Sequence, residues 1–393
     1  VPHPRFPAFR RISAAALAAA LCLAAVPAAQ ATEAPQGCSG TADPDTCQTV
    51  IGWAAAQLGD VPGDEAELGA ANGMLSTYVD FTNQPGFPAD YAAEAARRNA
   101  ALLIAWEPND WENRSVDQPE YRPAAIAAGS HDDYLVSWLK QAQKYAANQP
   151  ILVRFAPEMN DAIRPWSVGV NGGNTAADYV RMFRHVYQLK ERWAPDAALV
   201  WNPLVAGSAP DGTPVDFASA YPGADSVDML ALDGFNWADA NDPAVNCNWQ
   251  SYDDVFGAPV AQLKQLAGGK PWGIAEVASA SRGESFFTAG GECAEAWGSW
   301  VFQWPQSPPF YAEADDWITQ AGWMKTMMLQ AHADGALFVN LFNMDKETDW
   351  RLESTPAGTE VLGRIDATGS FSFGNERSSQ LIRDALHPEP AAP

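Results

Sequence analysis

The chain has 393 residues, and its 24 basic against 48 acidic side chains give a formal net charge of −24 at pH 7. A field of that sign repels nucleic acid, anionic lipid and acidic polymers, so a neutral partner is expected. The length fits two average domains or one large barrel, and the order of elements must decide between them.

The first residues read as an export signal. Arg5, Arg10 and Arg11 precede an apolar stretch from Ala14 to Val26, and Ala29-Gln30-Ala31 fits the small-x-small cleavage pattern. The stretch is short for a bilayer span, which takes about 20 apolar residues, and Leu21 before Cys22 argues against a lipid anchor. The reading is a signal over 1–31, an extension over 32–47 and a secreted, extracellular, monomeric product with no membrane attachment after cleavage. Four cysteines remain: Cys38, Cys47, Cys247 and Cys293. An even number in an exported chain favours disulfides, and Cys38–Cys47 with Cys247–Cys293 is preferred among the three connectivities. No Cys-x-x-Cys or His pair at ligand spacing accompanies them, so no metal is expected.

Beyond Gln48 the chain alternates short apolar runs with amphipathic stretches, the pattern of parallel strands joined by helices. The runs are Thr49–Ala54, Leu75–Phe81, Ala101–Trp106, Ile151–Phe155, Ala198–Trp201, Val227–Leu232, Trp272–Ala275 and Ala336–Leu341. Helical patterns fall over His131–Ala147, capped by Ser130, and over Ala176–Trp193, Tyr252–Ala267 and Asp315–Ala333. Eight strands in this order, without a glycine-rich phosphate turn after the first, predict an α/β fold, a single (β/α)8 TIM barrel over 48–366 with a C-terminal tail over 367–393. The Pro/Ala segment after His387 reads as disordered.

In such a barrel the chemistry sits on the loops after the strand C-termini. Two carboxylates fall there: Glu158 after the fourth strand and Glu276 after the seventh. Those strands lie on opposite sides of the mouth. Retaining cleavage of a glycosidic bond needs two carboxyls roughly 5–5.5 Å apart, one to attack the anomeric carbon and one to protonate the departing oxygen. The alternative is that each acid merely pairs with an arginine. Asp80, Glu107 and Asp233 also end strands, and Arg154, within a strand, can pair with one of them inside the barrel.

The segments around these acids resemble glycoside hydrolase family 26, in the large clan of barrels with acid/base and nucleophile on strands four and seven. The resemblance is carried by Ile104-Ala105-Trp106-Glu107-Pro108, by Arg154 to Asn160, by Arg164-Pro165-Trp166, by Leu232 to Trp237, by Lys270 to Glu276, and by Phe342-Asn343 with Asp349-Trp350-Arg351. It implies Glu158 as acid/base and Glu276 as nucleophile, β-1,4-mannan as the first substrate to expect, and no cofactor. Two positions depart from the family's pattern. Pro157 stands where a sugar-contacting His is common, and Phe235 stands where a Tyr commonly meets the nucleophile, leaving Asn236 or another residue to take that part.

Trp106, Trp166, Trp237 and Trp350 sit at or just past strand ends, where an indole can stack on a pyranose face while its N–H bonds a hydroxyl. They are the expected subsite walls, with Glu107, Asn160, Asp233 and Asn236 as sugar ligands. His131, His185 and His332 have no metal-ligand partner one helical turn away. No Gly-x-Ser-x-Gly elbow, phosphate loop or dinucleotide fingerprint occurs, which removes the serine hydrolase, NTPase and dehydrogenase readings. Two rivals stay open: a retaining barrel hydrolase cutting β-1,3/1,4-glucan, β-1,3-xylan or an exopolysaccharide, and a non-catalytic glycan-binding barrel.

Overall fold

The computed structural model describes residues 48–237, 249–280 and 319–387. The expected signal sequence, and all four cysteines with their pairing, lie outside the described residues. Among the described residues no helix is long and apolar enough to cross a membrane.

Eight parallel strands close on themselves: β1 (Thr49–Ala54), β2 (Met74–Asp80), β3 (Ala101–Glu107), β4 (Ile151–Phe155), β5 (Ala198–Trp201), β6 (Met229–Asn236), β7 (Trp272–Ser279) and β8 (Phe338–Phe342). Each pairs with the next, and β8 and β2 both pair with β1, so the sheet has no break. This is the (β/α)8 barrel that the order of elements predicts.

Strand alternation divides the interior into two cores. Along β3, Leu102, Ile104 and Trp106 pack outward against helix residues such as Leu135 and Trp138, while Ala101 and Leu103 face the lumen. Along β4, Ile151, Val153 and Phe155 point outward and Leu152 inward. The same period of two puts Arg154 in the lumen. The lumen is filled by Val50, Met74, Leu152, Val200, Met229, Ala231 and Phe338, so it is a packed core and not a channel. Phe338 explains a glycine in β7: a Cβ on Gly273 would lie 2.4 Å from its ring.

Three expectations change. Helix Asp132–Ala146 starts at His131 without a side-chain cap, because the Ser130 hydroxyl donates instead to Ala125 O. Strands six and seven run four residues further than their apolar runs suggest, to Asn236 and Ser279. The segment after Asp366 is no mere tail. Phe371–Ser372 (β9) pairs with β1, and helix Glu376–Leu386 sends Leu381 and Ile382 into the lumen core beside Val50, Met74 and Ala101. Those neighbours lie at the strands' N-terminal ends, so the C-terminal helix stoppers the barrel at the end opposite the mouth.

Candidate active site

Glu276 reaches the lumen through a break in alternation. Ala275 faces inward, so a regular strand would turn Glu276 out toward the helices. The β6–β7 register jumps there, from Leu232↔Ile274 to Asp233↔Glu276, leaving Ala275 as an extra residue. Such a bulge re-aims the next side chain. Glu276 therefore sits beside Asp233, and both meet Arg154, whose Nη1 is 2.6 Å from Glu276 Oε1 and whose Nη2 is 2.6 Å from Asp233 Oδ2. The third nitrogen donates to Asn202 Oδ1 at 2.5 Å. One buried guanidinium thus ties β4, β5, β6 and β7 together. Burial works against its charge, but Asp233 and Glu276 outweigh this and hold it firmly protonated. Burial and the neighbouring Glu276 push the Asp233 carboxyl well up, against the pull of Arg154.

Glu158 is presented by backbone and not by strand geometry. Ala156 (φ 48°) and Glu158 (φ 53°), on either side of Pro157, both occupy the left-handed region that L side chains seldom adopt. Such strain persists where surroundings over-determine it. Tyr179 Oη donates to Ala156 O at 3.0 Å, Trp166 Nε1 to Pro157 O at 2.7 Å and Ser167 Oγ to Glu158 O at 3.1 Å, while Glu158 N donates to Asn202 O at 2.7 Å. The Glu158 carboxylate pairs with Arg164, whose other neighbours are Glu107 at 3.9 Å and Asp161 at 3.8 Å. Arg164 stands at the rim with 30% of its side chain exposed.

Glu158, Asp233 and Glu276 each offer a carboxylate oxygen, all within 4.8 Å of one another. A cation could be held at that spacing, but Arg154 already supplies positive charge to two of the three. What the arrangement offers chemically is two facing carboxylates, one fixed and one at a rim.

Several expected ligands serve the scaffold instead. Trp106 is buried, stacked on Trp138 with centroids 4.0 Å apart, and its Nε1 donates to Tyr134. Trp166 is buried and committed to the Glu158 turn, and Trp350 is buried with its indole against Trp237. None of these three shows a face to the mouth, whereas Trp237 is half-buried. Asn160 spends its amide on the main chain of Leu204, and Asn236 spends its own on Ser279 and Gln250. Both side chains are buried. Among the described residues, Asn236 makes no hydrogen bond to Glu276.

The open space lies to one side of the acids. A cavity of about 840 Å³ sits over the ends of β1, β2, β3 and β8, lined among others by Tyr78, Tyr91, Glu107, Trp111 and Arg164. Neither Glu158 nor Glu276 lines it, but Arg164 and Tyr78 adjoin them and are shared with it. Trp111 is an aromatic that the strand-end search passed over: it lies in the loop after β3, with its main chain on Asp80 and its Nε1 2.8 Å from Glu107 Oε2. Burial pushes the Glu107 carboxyl up, while Arg164 and Trp111 pull it down. Arg164, which lies within a segment of the family resemblance but carries no expected role, and Asn202, just past β5, also complete the site.

Comparison with known proteins bears on this arrangement. No protein-family model matches the sequence. Endoglucanase H of Acetivibrio thermocellus is 26% identical over 299 residues, 76% of this chain, and the chain spans 28% of that relative's length. Among solved structures, a family 26 protein from a Muricauda species superposes with a TM-score of 0.50 at 18% identity, covering 82% of this chain and 90% of the other. A family 26 β-mannanase from Bacteroides ovatus gives 0.53 at 11% identity, covering 86% and 98%. The chain has the fold of family 26 glycoside hydrolases. At these identities the likeness speaks for the barrel and leaves the roles of individual residues to the geometry.

Proposed function

We propose that this chain is a retaining endo-β-glycosidase acting on a neutral polysaccharide by double displacement. The carrying observation is the approach of Glu158 and Glu276 to within 4.8 Å from β4 and β7. That spacing suits direct attack; an inverting pair stands roughly 6.5–9.5 Å apart to admit a water. Glu276, tied to Arg154, attacks C1 as Glu158 protonates the glycosidic oxygen, so the sugar–oxygen bond breaks and a glycosyl-ester forms on Glu276. Glu158, now ionised, takes a proton from water, which attacks C1 and frees Glu276. The chemistry needs no cofactor, and the reading extends to a secreted monomer.

β-1,4-Mannan is the first substrate to test, supported by the β-mannanase among the structures of the same fold. A β-glucan is the second, favoured by the endoglucanase relative. Reducing-end release and viscosity loss on mannan, glucan and β-1,3-xylan separate them. Endo cleavage of one of these, with viscosity falling ahead of sugar release, is expected; binding without release from any of them would leave a glycan-binding barrel and remove the enzyme reading.

A further inference from the structure

Tyr78 belongs to β2, where Met74 faces the lumen and alternation brings Ser76 and Tyr78 to the same side. Its neighbour in register on β3 is Ala105, small enough to leave room for a phenol ring. The Tyr78 hydroxyl is buried and has no hydrogen-bond partner of full geometry, although leaving such a donor unpaired in a low-dielectric interior costs about 1–3 kcal/mol. The acceptor it faces is Glu276, with Arg154 and Asp233 next in its surroundings.

Among the described residues, one side-chain hydrogen bond reaches the Glu276 carboxylate, from Arg154. Arg154 engages Oε1 only, and its other nitrogens are taken by Asp233 and Asn202. On β6, Phe235 offers no donor, and the Asn236 side chain is engaged by Ser279 and Gln250, with no hydrogen bond to Glu276 among the described residues. A carboxylate held through one oxygen can still turn about its last carbon–carbon bond, and turning moves the attacking oxygen off the anomeric carbon. Burial and Glu276 push the Tyr78 hydroxyl well up, so it stays protonated and able to donate at any working pH.

We propose that Tyr78 is a positioning residue for Glu276, its hydroxyl closing from the β2 side on the carboxylate that Arg154 holds from the β4 side. The inference rests on the reading of Glu276 as nucleophile. Among the described residues, the charged groups facing Glu276 are Arg154 from β4, Asp233 from β6, Glu158 from the turn after β4 and, further off, Glu107 from the end of β3. None of them is altered by a Tyr78→Phe change.

Tyr78→Phe in the full chain, beside Glu276→Ala, tests this. Tyr78→Phe should lower kcat by about tenfold or more, the worth of one buried hydrogen bond, with KM and melting temperature nearly unchanged. Losing a donor to the ionised carboxylate should also move the acidic limb of the kcat/KM profile upward. In crystals of the variant the Glu276 carboxylate should take a second orientation, whereas in wild type Tyr78 Oη should lie in hydrogen-bond reach of it. Wild-type kcat in Tyr78→Phe beside an inactive Glu276→Ala overturns the role of Tyr78 alone, while an active Glu276→Ala removes the nucleophile reading and this inference with it. An unchanged, single carboxylate orientation in the Tyr78→Phe crystal overturns the proposal without reference to any substrate.

Discussion

Glu276 and Glu158 approach one another across the same opening, yet they are held in opposite ways. Glu276 is fixed from inside the barrel by a bulged strand and by Arg154, whose side chain is only 2% exposed and shared with Asp233. Glu158 is fixed through its backbone, by two left-handed residues and a ring of hydrogen bonds, while its carboxylate meets Arg164 at the rim. The difference fits a division of labour. A nucleophile is served by a permanent counter-charge, whereas an acid/base must trade a proton and is served by a carboxylate nearer the open rim.

The contrast breaks most sharply on removal of either acid. With an aryl glycoside whose leaving group needs little protonation, Glu158→Ala should form the glycosyl-enzyme and then stall, giving a burst; azide should restore turnover as the β-glycosyl azide. Glu276→Ala should show no burst, lose roughly 10⁴-fold or more in kcat, and yield at most the α-glycosyl azide. Reversed anomers would exchange the two roles.

The arginines sharpen the comparison in stability. Arg154→Met strands two buried carboxylates and should cost about 3–5 kcal/mol, read from the denaturation midpoint. Arg164→Gln, at the more open rim, should cost less than Arg154→Met does. Equal losses would erase the distinction between an inner lock and a rim contact. A smaller effect is expected within β7 itself: Gly273→Ala pushes a methyl into Phe338 and should destabilise by about 1–3 kcal/mol, whereas Gly273→Ala with Phe338→Leu should recover part of that.

The smallest effect lies away from the mouth. Burial, with Glu353, Asp60 and Glu67 adding to it, pushes the Asp64 carboxyl up to about 6, above its ordinary 3.8. Between those values the folded protein binds more protons than the unfolded chain, so this group's contribution to stability falls as pH rises through the window. Asp64→Asn should therefore raise the melting temperature at pH 7.5 and leave it unchanged at pH 3.5; a gain at both would point to something other than charge.

The barrel was legible because its signal is repetitive: each of eight apolar runs marks a strand, and a misplaced end, by as many as four residues in β6 and β7, leaves the order of strands intact. Arg154 was legible as a lumen residue through the same period of two. The Glu276 side of the mouth was harder, since a bulge breaks that period and hides the last four residues of β7. Aromatic counting failed for a different reason. Trp106 ends β3 and Trp166 and Trp350 lie in the loops beyond β4 and β8, but each indole is enclosed and two N–H groups meet Tyr134 and Pro157. No strand-end rule separates them from Trp111, which lines the cavity from an irregular loop. Tyr78 looks in sequence like any lumen-filling strand aromatic, and only its unengaged hydroxyl beside Glu276 marks it out.

The central claim, direct attack by a close carboxylate pair, is tested most directly by proton NMR of the anomeric signals during early hydrolysis of the best substrate by the wild-type protein. The β-anomer of the new reducing end should appear first and the α-anomer only later, by mutarotation. An α-anomer formed first would mean inversion through an interposed water, a separation of roughly 6.5–9.5 Å in the working enzyme, and the double displacement through Glu276 would be contradicted.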